Sequence, residues 1–277
     1  MNILLFITLG KTTLVDCLLK QSGAFGEGAN IVRAMDSNVL EKERGITILS
    51  KCTSIEYKGF KINIVDTPGH ADFGGEVERA LSLVDGVLLV VDATEGPMPQ
   101  TRFVLGKALS KKFKPIVVFN KVDRDSSRCD EVDSELFDLF SNLGAEDEQL
   151  EYPIVYASAK EGWALTSNPG KLKPESKDMT CLLDLITSFV PSPKVETSSP
   201  FSMLVNNIEK NNFLGKCLMG KIQGAAVKIN DRIKALDVNN QIIEEGRVTK
   251  IFKRHGLDTV IFILATHNNN NFVGLPR

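Results

Sequence analysis

Short apolar, β-branched runs alternate with amphipathic stretches from the first residues to about position 190, the rhythm of a parallel sheet wrapped by crossover helices. Ile3–Ile7, Lys51–Tyr57, Lys61–Val65, Gly86–Val91, Pro115–Phe119 and Pro153–Ala157 are predicted strands. Thr12–Gln21, Gly75–Ser82, Pro99–Lys111 and Glu131–Asn142 are predicted helices, the last with Val132, Leu136, Leu139 and Phe140 at core-facing spacing. Residues 161–178, rich in Gly, Ser, Pro and Lys, read as an irregular insertion before a final helix around Cys181–Val190.

The pattern then changes. Pro191-Ser192-Pro193 and the polar run to Pro200 form an extended spacer, because prolines stop a helix and stiffen a linker. Beyond it Phe201–Val205, Lys216–Ile222, Arg232–Leu236, Gly246–Phe252 and Thr259–Leu264 are short strand-like runs separated by Asn, Gly and Asp turns, with no helical period. The polar tract Thr266 to Asn271 is expected to pack no core strand. The organisation predicted is an α/β domain over residues 1–190, a linker over 191–200, and over 201–277 a small, truncated β-barrel.

Composition narrows the class. The chain has 277 residues, 43% hydrophobic and 25% charged, which excludes disorder, collagen and a disulfide scaffold. Its longest apolar runs are too short to span a bilayer as a helix, so no membrane role is expected. Five scattered cysteines, odd in number and away from the histidines, read as reduced intracellular thiols without a zinc site. Residues 200–277 carry 11 Lys+Arg against 6 Asp+Glu, and residues 1–199 carry 22 against 29. A basic C-terminal part suits a polyanionic partner such as RNA, and equally suits a solvated surface of uneven charge.

Four motifs stand at strand ends. Asp66-Thr67-Pro68-Gly69-His70 follows a strand, so Asp66 can hold Mg²⁺ through a water while the Gly69 N–H reaches a γ-phosphate; alone, the string also fits an aspartate-led turn. Asn120-Lys121-Val122-Asp123 follows another strand. The two oxygens of Asp123 can accept guanine N1–H and N2–H₂, whereas adenine presents an acceptor at N1. Ser158-Ala159-Lys160 follows one helix and strand later, where a backbone amide can meet guanine O6 and Lys160 can stack near the base. Gly10-Lys11-Thr12-Thr13 opens the first helix: Lys11 would neutralise β- and γ-phosphate oxygens and Thr12 would ligate Mg²⁺. With a nucleotide nearby, Thr47 in the charged segment Leu40 to Ile48 becomes the switch residue, completing the Mg²⁺ shell while the γ-phosphate is present.

On Met35-Asp36-Ser37, Leu40 to Ile48, Asp66 to Arg79, Val90 to Phe103, Asn120 to Arg124 and Tyr152 to Ala159, from about residue 10 to 265, the sequence resembles the elongation-factor-type translational GTPases of the TypA/BipA kind. The resemblance implies a P-loop GTPase domain followed by a β-barrel domain II, with Mg²⁺ and GTP or GDP bound, and GTP hydrolysis stimulated by the ribosome. Carried over residue by residue, it implies nucleotide contacts from Gly10, Lys11, Thr12, Thr13, Thr47, Asp66, Gly69, Asn120, Lys121, Asp123, Ser158, Ala159 and Lys160. Thr12, Thr47 and, through water, Asp66 would hold the metal. His70 would orient the attacking water. It also implies ribosome and rRNA as partners, no DNA, a monomer off the ribosome, and a cytoplasmic or ribosome-associated location, with a plastid or mitochondrial matrix as the alternative if a transit peptide is missing.

Two departures accompany it. Leu5-Phe6-Ile7-Thr8-Leu9 stands where the family has a small-residue loop carrying Asp and His, and such bulky residues are poorly suited to wrapping amides around phosphate. The family also continues past this length, so both ends are expected to carry foreign sequence, as a wrong start exon and an unspliced intron would produce. The second hypothesis is accordingly a pseudo-GTPase or ribosome-binding fragment with impaired nucleotide binding. An ATP-dependent P-loop enzyme is disfavoured by Asp123.

Overall fold

A computed structural model describes residues 2–7, 11–22, 51–67, 74–170, 174–193, 198–211, 215–255, 258–262, 264–265 and 270–275. The chain divides into two compact units, Met1–Ser192 and Pro193–Arg277. Among the described residues no helix is long and apolar enough to cross a membrane.

The first unit runs β1 (Asn2–Ile7), α1 (Lys11–Gln21), β2 (Lys51–Tyr57), β3 (Phe60–Asp66), α2 (Gly74–Leu81), β4 (Gly86–Asp92), α3 (Pro99–Ser110), β5 (Pro115–Asn120), α4 (Cys129–Asn142), α5 (Asp147–Leu150), β6 (Ile154–Ser158), β7 (Trp163–Leu165) and α6 (Thr180–Phe189). Its seven strands form one sheet in the order β2-β3-β1-β4-β5-β6-β7. The pairs β3–β1, β1–β4, β4–β5 and β5–β6 are parallel, while β2 and β7 add antiparallel edges.

Every residue of β4 and β5 is buried, which explains why these runs read as continuously apolar rather than alternating: helices cover both faces of a parallel sheet. α4 turns Cys129, Val132, Leu136 and Phe140 inward at helical spacing, and the Phe140 ring lies 4.6 Å from that of Tyr152. Proline at the first position of α3 has no N–H to leave unsatisfied there.

One element falls where the sequence suggested irregular chain, and another where it assigned none. β7 lies inside the segment 161–178 expected to be irregular, because Trp163 and Ala164 are buried and pair against Ser158 and Ala157 of β6. The single turn α5 is held by Gln149, whose side-chain amide donates to Phe113 O at 2.7 Å and Leu109 O at 3.3 Å.

The second unit contains β8 (Met203–Asn211), β9 (Gly215–Ile222), β10 (Val227–Lys228), β11 (Arg232–Leu236), β12 (Ile242–Arg247), β13 (Lys250–His255), β14 (Asp258–Phe262), β15 (Leu264–Ala265) and β16 (Asn270–Leu275). A five-stranded sheet takes the order β14-β13-β16-β9-β8, and β10–β15 and β11–β12 form two-stranded pieces. Among the described residues these sheets do not join into one closed barrel.

Two expectations are corrected here. The run Gly246–Phe252 is not one strand: Val248 exchanges backbone bonds with the turn Asn230–Asp231, so β12 pairs with β11 while β13 enters the larger sheet. The last two residues of the asparagine tract, the part of it that is described, enter a strand. Asn270 and Asn271 open β16, which lies between β13 and β9, because ladder pairing is made by the backbone, which asparagine shares with every non-proline residue.

Candidate functional site at the carboxyl edge of the sheet

Four parallel strands of the first unit each end on a buried polar residue: Asp66 on β3, Asp92 on β4, Asn120 on β5 and Ser158 on β6, all at most 2% exposed. Burying polar groups is unfavourable unless they are bonded, so a row of them at one edge marks a built feature. In open α/β sheets ligands bind outside this edge.

Asn120 joins two of the sequence motifs. Its Oδ1 accepts the N–H of Lys121 at 2.9 Å and the N–H of Ala159 at 3.0 Å, so one side chain ties Asn120-Lys121-Val122-Asp123 to Ser158-Ala159-Lys160. Asn120 O also accepts Ala93 N–H at 2.9 Å, and Val122 N–H donates to Ala157 O at 3.2 Å. Ser158 Oγ accepts Glu161 N–H at 3.1 Å, and Ser158 O accepts Gly162 N–H at 2.8 Å, which folds the loop beyond it into a tight turn.

Asp123 is half-buried and Lys160 exposed. Among the described residues nothing bonds to the Asp123 carboxylate, which stands on the wall of a cleft of about 320 Å³ also lined by Val122, Arg124 and Trp163. An acceptor-only carboxylate with free oxygens at the rim of a cleft suits a ligand edge that presents two donors.

Asp92, given no role by the sequence, is bonded through both of its carboxylate oxygens. Lys121 Nζ donates to its Oδ2, and Thr94 N–H at 2.8 Å and Glu95 N–H at 3.4 Å donate to its Oδ1. Burial pushes its carboxyl up, but Lys121 and the two amides outweigh that and hold it below the ordinary carboxylate value. Arg128, at the start of α4, donates from Nε to Thr94 O at 2.8 Å and pairs with Glu135 at 2.5 Å, which fastens the loop after β4 from outside.

On the helix side, Lys11 and Thr12 stand at the N-terminus of α1; Thr12 is half-buried and Thr13 exposed. At the other end of that helix, Gln21 accepts the N–H of Met179 at 2.7 Å and donates to Gly162 O at 2.7 Å. The helix is thereby tied to the loop that follows Ser158-Ala159-Lys160. Gly10, Thr47, Gly69 and His70 lie outside the described residues, so Asp66, Asn120, Lys121, Asp123, Ser158, Ala159 and Lys160 are the predicted residues that one sheet edge brings together.

Asp92, Gln21 and Arg128 were not singled out as site residues. Asp92 had a visible signal, since it closes an apolar run as Asp66 and Asn120 do. Gln21 and Arg128 had none, because their partners lie 141 residues and 34 residues away in sequence.

The chain is similar to the "Large ribosomal subunit assembly factor BipA" of Haemophilus influenzae, at 52% identity over 250 residues, 90% of this chain and 40% of that protein. The protein of the same name from Escherichia coli strain K12 is 51% identical over 257 residues, 92% of this chain and 42% of its own. The chain thus spans about two fifths of the curated relatives it matches. Among solved structures, the elongation factor SelB from Methanococcus maripaludis in complex with the GTP analogue GppNHp superposes with a TM-score of 0.73 at 21% identity, covering all of this chain and 51% of that one. A bacterial selenocysteine-specific elongation factor, EF-Sec, gives 0.72 at 24% identity, covering all of this chain and 42% of its own; both show a shared fold. The model of the elongation factor Tu GTP-binding domain matches residues 6–192, nearly the whole first unit, and the chain belongs to that family.

Proposed function

We propose that the chain is the nucleotide-binding part of a ribosome-associated translational GTPase of the BipA type, which binds GTP and converts it to GDP and phosphate. The observation that carries this is the Asn120 bridge: it sets the carboxylate of Asp123 and the amide-rich turn after Ser158 at one edge, where guanine can be read by two acceptors and a donor. In this reading residues 1–190 are the GTP-binding domain, 191–200 the linker, and 201–277 a β-barrel domain II. The pseudo-GTPase reading rests on the bulky residues Leu5 to Leu9 alone, and the family match and the relatives give it no support.

Within the site, Asp123 accepts guanine N1–H and N2–H₂, the Ala159 turn faces O6, and Lys121 and Lys160 flank the base. Lys11, Gly10, Thr13 and the N-terminus of α1 receive the phosphates, and Gly69 meets the γ-phosphate. Mg²⁺ fits the donor set: α1 packs against β3, and the Thr12 hydroxyl and buried Asp66 carboxylate are hard oxygen donors, with Thr47 as the third. The ion, when bound, neutralises phosphate charge. His70 orients the attacking water. The partners in this reading are the ribosome and its rRNA, with no DNA and a monomer off the ribosome, in the cytoplasm; the bacterial relatives give no support to an organellar location.

Titration of purified protein with GTP and ATP tests the reading: micromolar or tighter GTP binding that needs Mg²⁺ is expected, and absence of binding would overturn it. Asp123→Asn is expected to move preference from guanine to xanthine nucleotides, because the amide donates where xanthine carries the O2 acceptor; unchanged GTP preference would remove Asp123 from base reading. His70→Ala is expected to slow ribosome-stimulated hydrolysis while leaving GTP affinity unchanged.

A further inference from the structure

The ammonium of Lys121 is already spoken for. It donates to Asp92 Oδ2, a carboxylate with no solvent exposure, while its own side chain is 22% exposed. Arg124 NH1 lies 3.9 Å from the same oxygen, and Oδ1 is occupied by the amides of Thr94 and Glu95. A charge so engaged is not available to meet the phosphates of a nucleotide. What remains of Lys121 for a ligand is its four-carbon stem, held between its backbone and Asp92.

The backbone is constrained as well. Lys121 has φ 66, in the left-handed region that costs a residue with a Cβ about 1–2 kcal/mol, and the Asn120 Oδ1 bond to its N–H holds it there. Both ends of the side chain are therefore fixed, one by Asn120 on β5 and the other by Asp92 on β4, which face each other in the parallel register. The stem starts two residues before Asp123, and Asn120 ties its backbone to Ala159.

We infer that Asp92 is a positioning residue of the base site, acting through Lys121: it anchors the ammonium so that the methylene stem forms a fixed apolar wall for the guanine ring. The inference rests on the proposed binding of a guanine nucleotide. Asp92 touches no ligand, and its effect falls on how long the nucleotide stays bound. Base identity remains with Asp123.

The test measures dissociation of a fluorescent GDP from the purified full chain carrying Asp92→Asn, Lys121→Met or both. Asp92→Asn presents an amide donor to the ammonium, and Lys121→Met keeps an apolar stem without its anchor. Each single variant is expected to speed dissociation about tenfold, within the range for loss of a partly buried ion pair. The double variant is expected to be no faster than Lys121→Met alone, since the two act as one unit. Guanine-over-xanthine preference is expected to stay unchanged throughout.

Equal dissociation from wild type and Asp92→Asn would overturn the inference, as would a full additional effect in the Lys121→Met background, which would make Asp92 a general support of the fold. If Asp92→Asn does not fold, Asp92→Glu keeps the charge but moves it by one methylene; it is expected to speed dissociation several-fold with Lys121 present and not at all with Met at that position, and equal effects in both overturn the inference. Failure of the wild-type chain to bind GDP at all would instead refute the nucleotide reading itself.

Discussion

The two units bury their strands in different ways. In the first, β4 and β5 are buried along their whole length and feed one large core with Phe119, Phe140, Leu136 and Trp163. In the second, β11 and β12 alternate exposed and half-buried positions, and the buried centre is Ile222, Val227, Val248 and Ile251 with a few partly covered neighbours. Val238 is 97% exposed, Ile243 67% and Ile208 63%. Apolar burial is the main favourable term of folding and grows with domain size. Among the described residues the first unit thus has the larger packed core, and in the second the backbone ladders and close strand approach weigh more.

Phe119→Ala gives the sharpest test of that difference. Phe119 is fully buried in β5 and stacks edge-on with Tyr156 at 5.8 Å, so truncation is expected to lower stability of the first unit by about 3–5 kcal/mol in urea unfolding. A loss below about 1 kcal/mol would break the comparison.

In the second unit the sensitive position is a glycine. A Cβ on Gly220 would lie 2.0 Å from Leu204 O, backbone of the neighbouring strand, where β8 bulges between Val205 and Asn207. Gly220→Ala is expected to cost about 1–3 kcal/mol through displaced ladder bonds, read as faster amide exchange in β8 and β9. Exchange unchanged from wild type would show that the ladder is not what holds this unit.

The Asp92 carboxyl separates the units by pH. Its value is held below the ordinary 3.8 in the folded chain. Its contribution to stability is therefore complete above that unfolded value and is lost as pH falls below it, through the folded value. Acid unfolding of the wild type followed beside Asp92→Asn is expected to show a shallower pH dependence for the variant in the first unit only. The smallest effect is expected from Ile243→Ser, within about 0.5 kcal/mol of wild type, because the side chain is mostly in water.

Much of the first unit was legible because its central strands are unbroken apolar runs closed by polar residues, and helices such as α2 and α4 carry an apolar face. β2 was read at the same bounds, and β4 and β5 were each one residue longer than read, ending on the buried polar residues Asp92 and Asn120. The second unit was harder to read because β11 and β12 show exposed and half-buried positions with none fully buried, and strand follows strand across short turns, so periodicity alone did not separate β12 from β13 or admit Asn270 and Asn271 to β16. Motif spacing placed Asp123 and Ser158 after strands, but said nothing of the Asp92 carboxylate that β4 sets beside Asn120.

The order of strand, motif and helix, the class of the first unit and the residue types suited to guanine are local properties, written in periodicity and in short strings. Which polar residues share the sheet edge is not local. The strand order β3-β1-β4-β5-β6 puts Asp92 beside Asn120 and lets Asn120 reach Ala159, and the end of α1 meets Gly162 through Gln21. These pairings are made by hydrogen bonds between residues tens to more than a hundred positions apart, and only the packed sheet brings them within reach.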